Sequence, residues 1–255
     1  MFFTGQRRKR LRSQPFPPAW EWILEKGVPL YGRLLEPDRR ELRGHIQVFL
    51  AEKQFEGANG MAISDEVRLT VAAQACLLLL HRETDYFPGL SSIVVYPGEF
   101  VAMRYEVDEA GVVTEGDDVR SGESFEGGAL VLSWEDVRRV GIDVHDGYNV
   151  VLHEFAHQLD AEDGLSGGEP LLARGGRSRR WTQVLRQEYE QLVQDAEEGY
   201  DTFLDPYGAE NPGEFFAVAT EAFFLLPEGM REYHPELYEI LAQYYCQDPA
   251  TDWGR

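Results

Sequence analysis

The chain has 255 residues, with 45 acidic side chains against 24 basic ones and a net charge of −21. A phosphate backbone would be repelled by that charge, which excludes nucleic acid as a main direct partner. Hydrophobic residues make up 43% and aromatics 12%, enough for a substantial core. The longest apolar run, Ala75 to Leu80, is far too short to cross a bilayer. Two cysteines, Cys76 and Cys246, make no disulfide framework, and no apolar segment of signal-peptide length follows the basic N-terminus. The expectation is a cytoplasmic protein with no membrane partner.

Residues 1–18 carry Arg7-Arg8-Lys9-Arg10 and Arg12, then the Pro-rich Ser13–Pro18. This composition predicts a flexible, solvated basic arm ahead of one domain over residues 19–250. Residues 19–60 predict helices: a Trp20–Leu24 segment, then a helix opened by Pro37-Asp38-Arg39 and running through Phe55. Ser64-Asp65-Glu66 caps a helix to about Arg82 whose interior, Val67 to Leu80, is apolar on most sides and crosses the core. Cys76 lies in it as a buried thiol.

Residues 90–134 change to strand character: Ile93–Tyr96, Phe100–Val107, a turn at Asp108–Gly111 into Val112-Val113, and Ala129–Ser133. Ala129–Ser133 is either a free edge able to take an extended peptide or a fully paired core strand. A helix spans Tyr148 to Asp160. A Gly- and Arg-rich loop over residues 161–180 follows, with Gly164 near the helix end, and further helices cover about 181–198, 212–226 and 235–246. Helices, a small mixed or antiparallel sheet, then helices make a mostly helical α+β fold.

His153-Glu154-Phe155-Ala156-His157 spells H-E-x-x-H. Histidines four apart stand one above the other on a helix face, with Cβ atoms about 6 Å apart, so both imidazoles reach one Zn²⁺. Glu154, at the edge of that face, is placed to take a proton from an activated water. Val151, Leu152, Phe155, Ala156 and Leu159 surround both histidines with apolar surface, and a metal supplies the partner that buried imidazoles need.

A catalytic zinc wants a third protein ligand and one open position. Asp163, six residues past His157, stands where one peptidase class places its third ligand, but that class needs a glycine where this chain has Asp160. His145 and His234 read as surface histidines. Glu214 and Glu221 lie near one face of a nearly all-apolar helix, where a carboxylate needs a partner or a metal. Asn211-x-x-Glu214 also fits a capping box, which gives Glu214 a structural alternative. Glu221 has none, and either ligates or supports a ligand histidine. Asp160 reads as a carboxylate that could accept the other ring N–H of a ligand histidine.

His153-Glu-Phe-Ala-His-Gln-Leu-Asp160, Tyr207-Gly-Ala-Glu-Asn-Pro-Gly-Glu214-Phe-Phe-Ala217 and Tyr244-Tyr-Cys-Gln-Asp-Pro249 resemble the Mlc titration factor A family of zinc-dependent peptidases. Ile93–Pro97 and Gly128–Trp134 are similar to it too, so the likeness covers roughly residues 20–249, leaving the basic arm and the Arg-rich 174–180 loop unmatched. The site pattern is also similar to the catalytic domain of anthrax lethal factor. These resemblances imply a zincin-like domain with His153, His157 and Glu214 as zinc ligands and Glu154 as general base. They also imply Tyr207, seven residues before Glu214, as an oxyanion donor. They imply aminopeptidase-like hydrolysis of short peptides or, alternatively, sequestration of a sugar-responsive transcriptional repressor.

Overall fold

The computed structural model describes residues 2–107, 113–120, 122–125, 128–139, 147–163, 167–170 and 179–253. The Asp108–Gly111 turn, Gly164, His145 and much of the 161–180 loop lie outside them.

Helix α1 (Phe2–Arg12) occupies the stretch expected to be a flexible arm. Arg8 explains the difference. Its guanidinium forks onto Glu52 at 3.0 and 2.9 Å, pairs with Asp85 at 2.9 Å and lies 4.8 Å from the Tyr86 ring centroid. The positive charges that suggested solvation are in part anchors to distant parts of the same chain. Helices α2 (Pro18–Gly27), α3 (Pro29–Arg33) and α4 (Glu36–Glu52) follow, the last burying Leu42, Ile46, Val48 and Phe49.

Helix α4 ends at Glu52, before the expected Phe55, with Lys53 as its C-cap. The Lys53 ammonium donates to the carbonyls of Phe87 and Leu90 at 2.7 and 2.6 Å. Strand β1 (Gln54–Gly57) then begins where a helix was predicted. Helix α5 (Asp65–Leu77) starts as expected, with Ser64 Oγ accepting the Val67 N–H, but stops short of Arg82. Its Cys76 is a buried free thiol, and Cys246 is an exposed one.

Strands β2 (Ser92–Tyr96), β3 (Phe100–Val107), β4 (Val113–Arg120), β5 (Gly122–Phe125) and β6 (Ala129–Ser133) follow. β3 and β4 form an antiparallel pair of their own. The main sheet has the order β1-β2-β6-β5. β1, β2 and β6 run parallel, as the α5 crossover between β1 and β2 requires, and β5 closes one edge antiparallel. The sheet is therefore mixed and largely parallel rather than antiparallel. β6 is paired on both sides, so it is not the free edge considered for substrate.

Helix α6 (Trp134–Arg139) leads to α7 (Val150–Asp160), which carries the H-E-x-x-H motif. Phe155 anchors the rear of α7 in an aromatic cluster, its ring 4.8 Å from Phe87 and 5.7 Å from Phe49. Helix α8 (Arg179–Glu198) and a short 3-10 turn at Pro206–Ala209 precede α9 (Pro212–Leu225). α9 is buried on nearly all sides and packs along α7. Helices α10 (Pro227–Tyr233), α11 (Pro235–Tyr245) and α12 (Pro249–Asp252) complete the chain. α11 braces α9: Thr220 Oγ1 lies 2.8 Å from the Tyr245 hydroxyl, and Phe223 stacks on the Tyr245 ring.

Candidate metal centre

Asn149 starts the motif helix. Its Oδ1 accepts the N–H groups of Val151 and Leu152, both at 3.0 Å, so two otherwise unpaired donors at the helix start are satisfied. α7 then runs without a break through His153 and His157, and their rings stand 4.9 Å apart between centroids. On α9, Asn211 Oδ1 accepts the Glu214 N–H at 3.0 Å with Pro212 in the first turn. Half of the expected capping box therefore forms. The Glu214 carboxylate faces the histidines instead.

Glu214 Oε2 lies 2.9 Å from His153 Nε2 and 3.3 Å from His157 Nε2, and the two imidazole nitrogens are 3.2 Å apart. Donors about 2.0–2.2 Å from a tetrahedral metal ion are separated by roughly 3.3–3.6 Å, so this small triangle needs only slight expansion to hold one. Among the described residues, His153, His157 and Glu214 form the group able to ligate a metal. Their side chains retain 11, 24 and 17% exposure, so the triangle opens to solvent on one side. Three protein ligands and an open face suit a catalytic rather than a closed structural site.

Behind His153, Glu221 Oε1 lies 2.7 Å from its Nδ1, and the second Glu221 oxygen accepts the backbone N–H of Asn149. Glu221 is 3% exposed. The electrostatics favour a positive charge among these groups. Burial pushes the Glu214 carboxyl upward, but the His153 and His157 hydrogen bonds outweigh it and hold the group far below the ordinary carboxylate range. Burial likewise pushes His153 down, and the two glutamates more than reverse that. Glu221 itself is raised, because its burial exceeds the opposing pull of His153.

The other sequence candidates separate clearly. Glu154 lies between the two histidines on α7 and is 7% exposed. The Tyr207 ring, on the 3-10 turn, sits 6.0 Å from the His153 ring and is 48% exposed. Asp160 is buried at the end of α7, where its Oδ2 accepts the Gly168 N–H at 2.7 Å. Asp163 falls in a 3-10 turn and is not part of the ligand group, and His234 pairs with Glu188 at 2.7 Å elsewhere. Sequence reasoning missed Asn149, which it placed inside the helix. An Asn just ahead of an apolar run was the available signal.

A family model described as glucose-regulated metallo-peptidase M90 matches residues 3–246. The chain belongs to this family. The match begins inside α1, so it covers nearly all of the basic N-terminal helix, which the motifs left unmatched. An uncharacterized protein of Synechocystis is 43% identical over 247 residues, covering 96% of this chain and 90% of that protein. Proteins named Mlc titration factor A from Yersinia pestis and Yersinia pseudotuberculosis are 30% identical over 240 residues, covering 91% of this chain and 86% of theirs. Among the described residues, no helix is long and apolar enough to cross a membrane.

Proposed function

We propose that this M90-family protein is a cytoplasmic zinc aminopeptidase acting on short peptides. The observation that carries the reading is the triangle of His153 Nε2, His157 Nε2 and Glu214 Oε2. Nitrogen and carboxylate donors in this number suit zinc. When bound there, zinc supplies a Lewis acid that polarises a peptide carbonyl and makes water a competent nucleophile near neutral pH.

The protein's own groups do the rest. With a metal bound, His153 Nδ1–H would donate a hydrogen bond to Glu221, which leaves the Nε2 lone pair for the ion. Glu154 takes a proton from the attacking water and returns it to the leaving amine. The Tyr207 phenol donates a hydrogen bond to the carbonyl oxygen as negative charge develops there. The strong net negative charge of −21 attracts the protonated N-terminus of a peptide.

The test is metal analysis of the purified protein together with hydrolysis of a panel of amino-acid anilides. Glu154→Gln is expected to keep zinc and lose hydrolysis by about 10²–10⁴-fold. Full activity in that variant would exclude Glu154 as the base. Glu214→Ala is expected to lose bound metal, and retention would move the third ligand to another carboxylate.

A second reading is favoured by the relatives named Mlc titration factor A. In it the chain binds and sequesters a transcriptional repressor, with hydrolysis secondary. A Glu154→Gln protein that no longer cleaves peptides but still captures such a repressor would establish both roles.

A further inference from the structure

Asp160 closes α7 three residues past His157 and is 1% exposed. A carboxylate at a helix C-terminus faces the negative end of the helix dipole, so its place there needs a compensating partner. The backbone N–H of Gly168, 2.7 Å from Oδ2, is one. Gly168 has a φ of +71°, in the left-handed region. A Cβ on it would lie 2.1 Å from the carbonyl oxygen of Pro212 and 2.4 Å from the carbonyl carbon. Those are backbone atoms, which cannot step aside as the end of a side chain can. Pro212 opens α9, and Glu214 sits in the same first turn. The neighbouring Glu169 accepts a hydrogen bond from Thr182 Oγ1 at 3.0 Å, which ties the segment to the start of α8 as well.

We infer that Asp160 is a positioning residue for the metal centre that acts through Gly168 rather than on an imidazole. It holds the Gly168 backbone against Pro212 and so sets the separation between the α7 ligands and Glu214. The inference rests on the reading of His153, His157 and Glu214 as metal ligands. A metal site tolerates errors of only about 0.2–0.5 Å in its donors, so a shift in the first turn of α9 reaches the ion directly.

The test compares four variants of the full chain by zinc affinity in chelator competition and by the visible spectrum of the cobalt-substituted protein. Asp160→Ala and Gly168→Ala are each expected to weaken zinc binding by about tenfold or more and to shift the cobalt bands. Asp160→Asn keeps an acceptor oxygen and is expected to recover much of the loss. Gly167→Ala, whose added Cβ meets nothing within 4 Å, is expected to match the parent. A folded Gly168→Ala protein with parental affinity and spectrum overturns the inference, even if Asp160→Ala is impaired, because Asp160 would then act on His157. If Gly168→Ala does not fold, the Asp160 pair decides: parental behaviour of Asp160→Ala overturns the inference. A parent protein that binds no zinc would sink the ligand assignment itself, an outcome separate from these.

Discussion

Glu221 Oε1 lies 2.7 Å from His153 Nδ1, while its other oxygen accepts the N–H of Asn149, the cap of the same helix. One buried carboxylate on α9 thus orients an imidazole of the candidate metal site and pins the start of the helix that carries it. The Asn149 amide is held in turn by Gln74 on α5 at 2.7 Å, so the start of α7 is tied to two other helices.

Replacing Glu221 by Gln keeps the shape but leaves one acceptor oxygen for two donors. Zinc affinity is expected to fall by about 10–100-fold. Chelator competition measures it, and an unchanged affinity would show that His153 is oriented without Glu221.

Tyr207 approaches His153 from the solvent side of the site. Tyr207→Phe keeps the ring and removes the donor. The expected result is a kcat lower by about 10²-fold or more, with metal content unchanged. A KM increase at constant kcat would instead make Tyr207 a substrate contact.

Glu41, on α4, gives the protein an acid-sensitive contact outside the candidate metal group. The His45 hydrogen bond, helped by the backbone N–H of His81, outweighs burial and holds its carboxyl down to about 2 against an ordinary 4.5. A depressed carboxyl contributes stability that is full above its unfolded pKa and is lost as pH falls through the folded one. The denaturant midpoint is therefore expected to drop between about pH 4.5 and pH 2. Glu41→Gln should flatten that part of the profile, and an unaltered profile would remove Glu41 as its source.

Arg8 fastens α1 to α4 and to Asp85. Arg8→Ala removes charge-assisted hydrogen bonds that together contribute about 1–3 kcal/mol to docking. Limited trypsinolysis after Lys9 or Arg10 should accelerate while cleavage at other sites keeps its parental rate. Cleavage at the parental rate would mean that α1 is held by its other contacts.

The motif helix, the strands β2, β3 and β6, and the last long helices were legible because each is written in local periodicity and turn chemistry. β1 was not. Gln54–Gly57 has no strand pattern of its own and becomes a strand by pairing with β2. α1 was misread for a related reason. Its local composition is that of a solvated segment, and Glu52 and Asp85, which hold it, lie far along the chain.

His153, Glu154 and His157 are determined by the sequence itself, since a spacing of four on a helix puts two imidazoles on one face whatever surrounds them. Physical argument from the sequence leaned to Glu214 without deciding it against Glu221, because both lie on one face of a buried helix, and the resemblance then decided for Glu214. The tertiary structure separates them by depth. Glu214, in the first turn of α9, meets both Nε2 atoms at the open side, and Glu221, two turns further in, meets His153 at the Nδ1 behind. Periodicity records which way a side chain points around its helix. How far along a neighbouring helix it lands depends on the packing of α7 against α9, and that is a property of the folded chain alone.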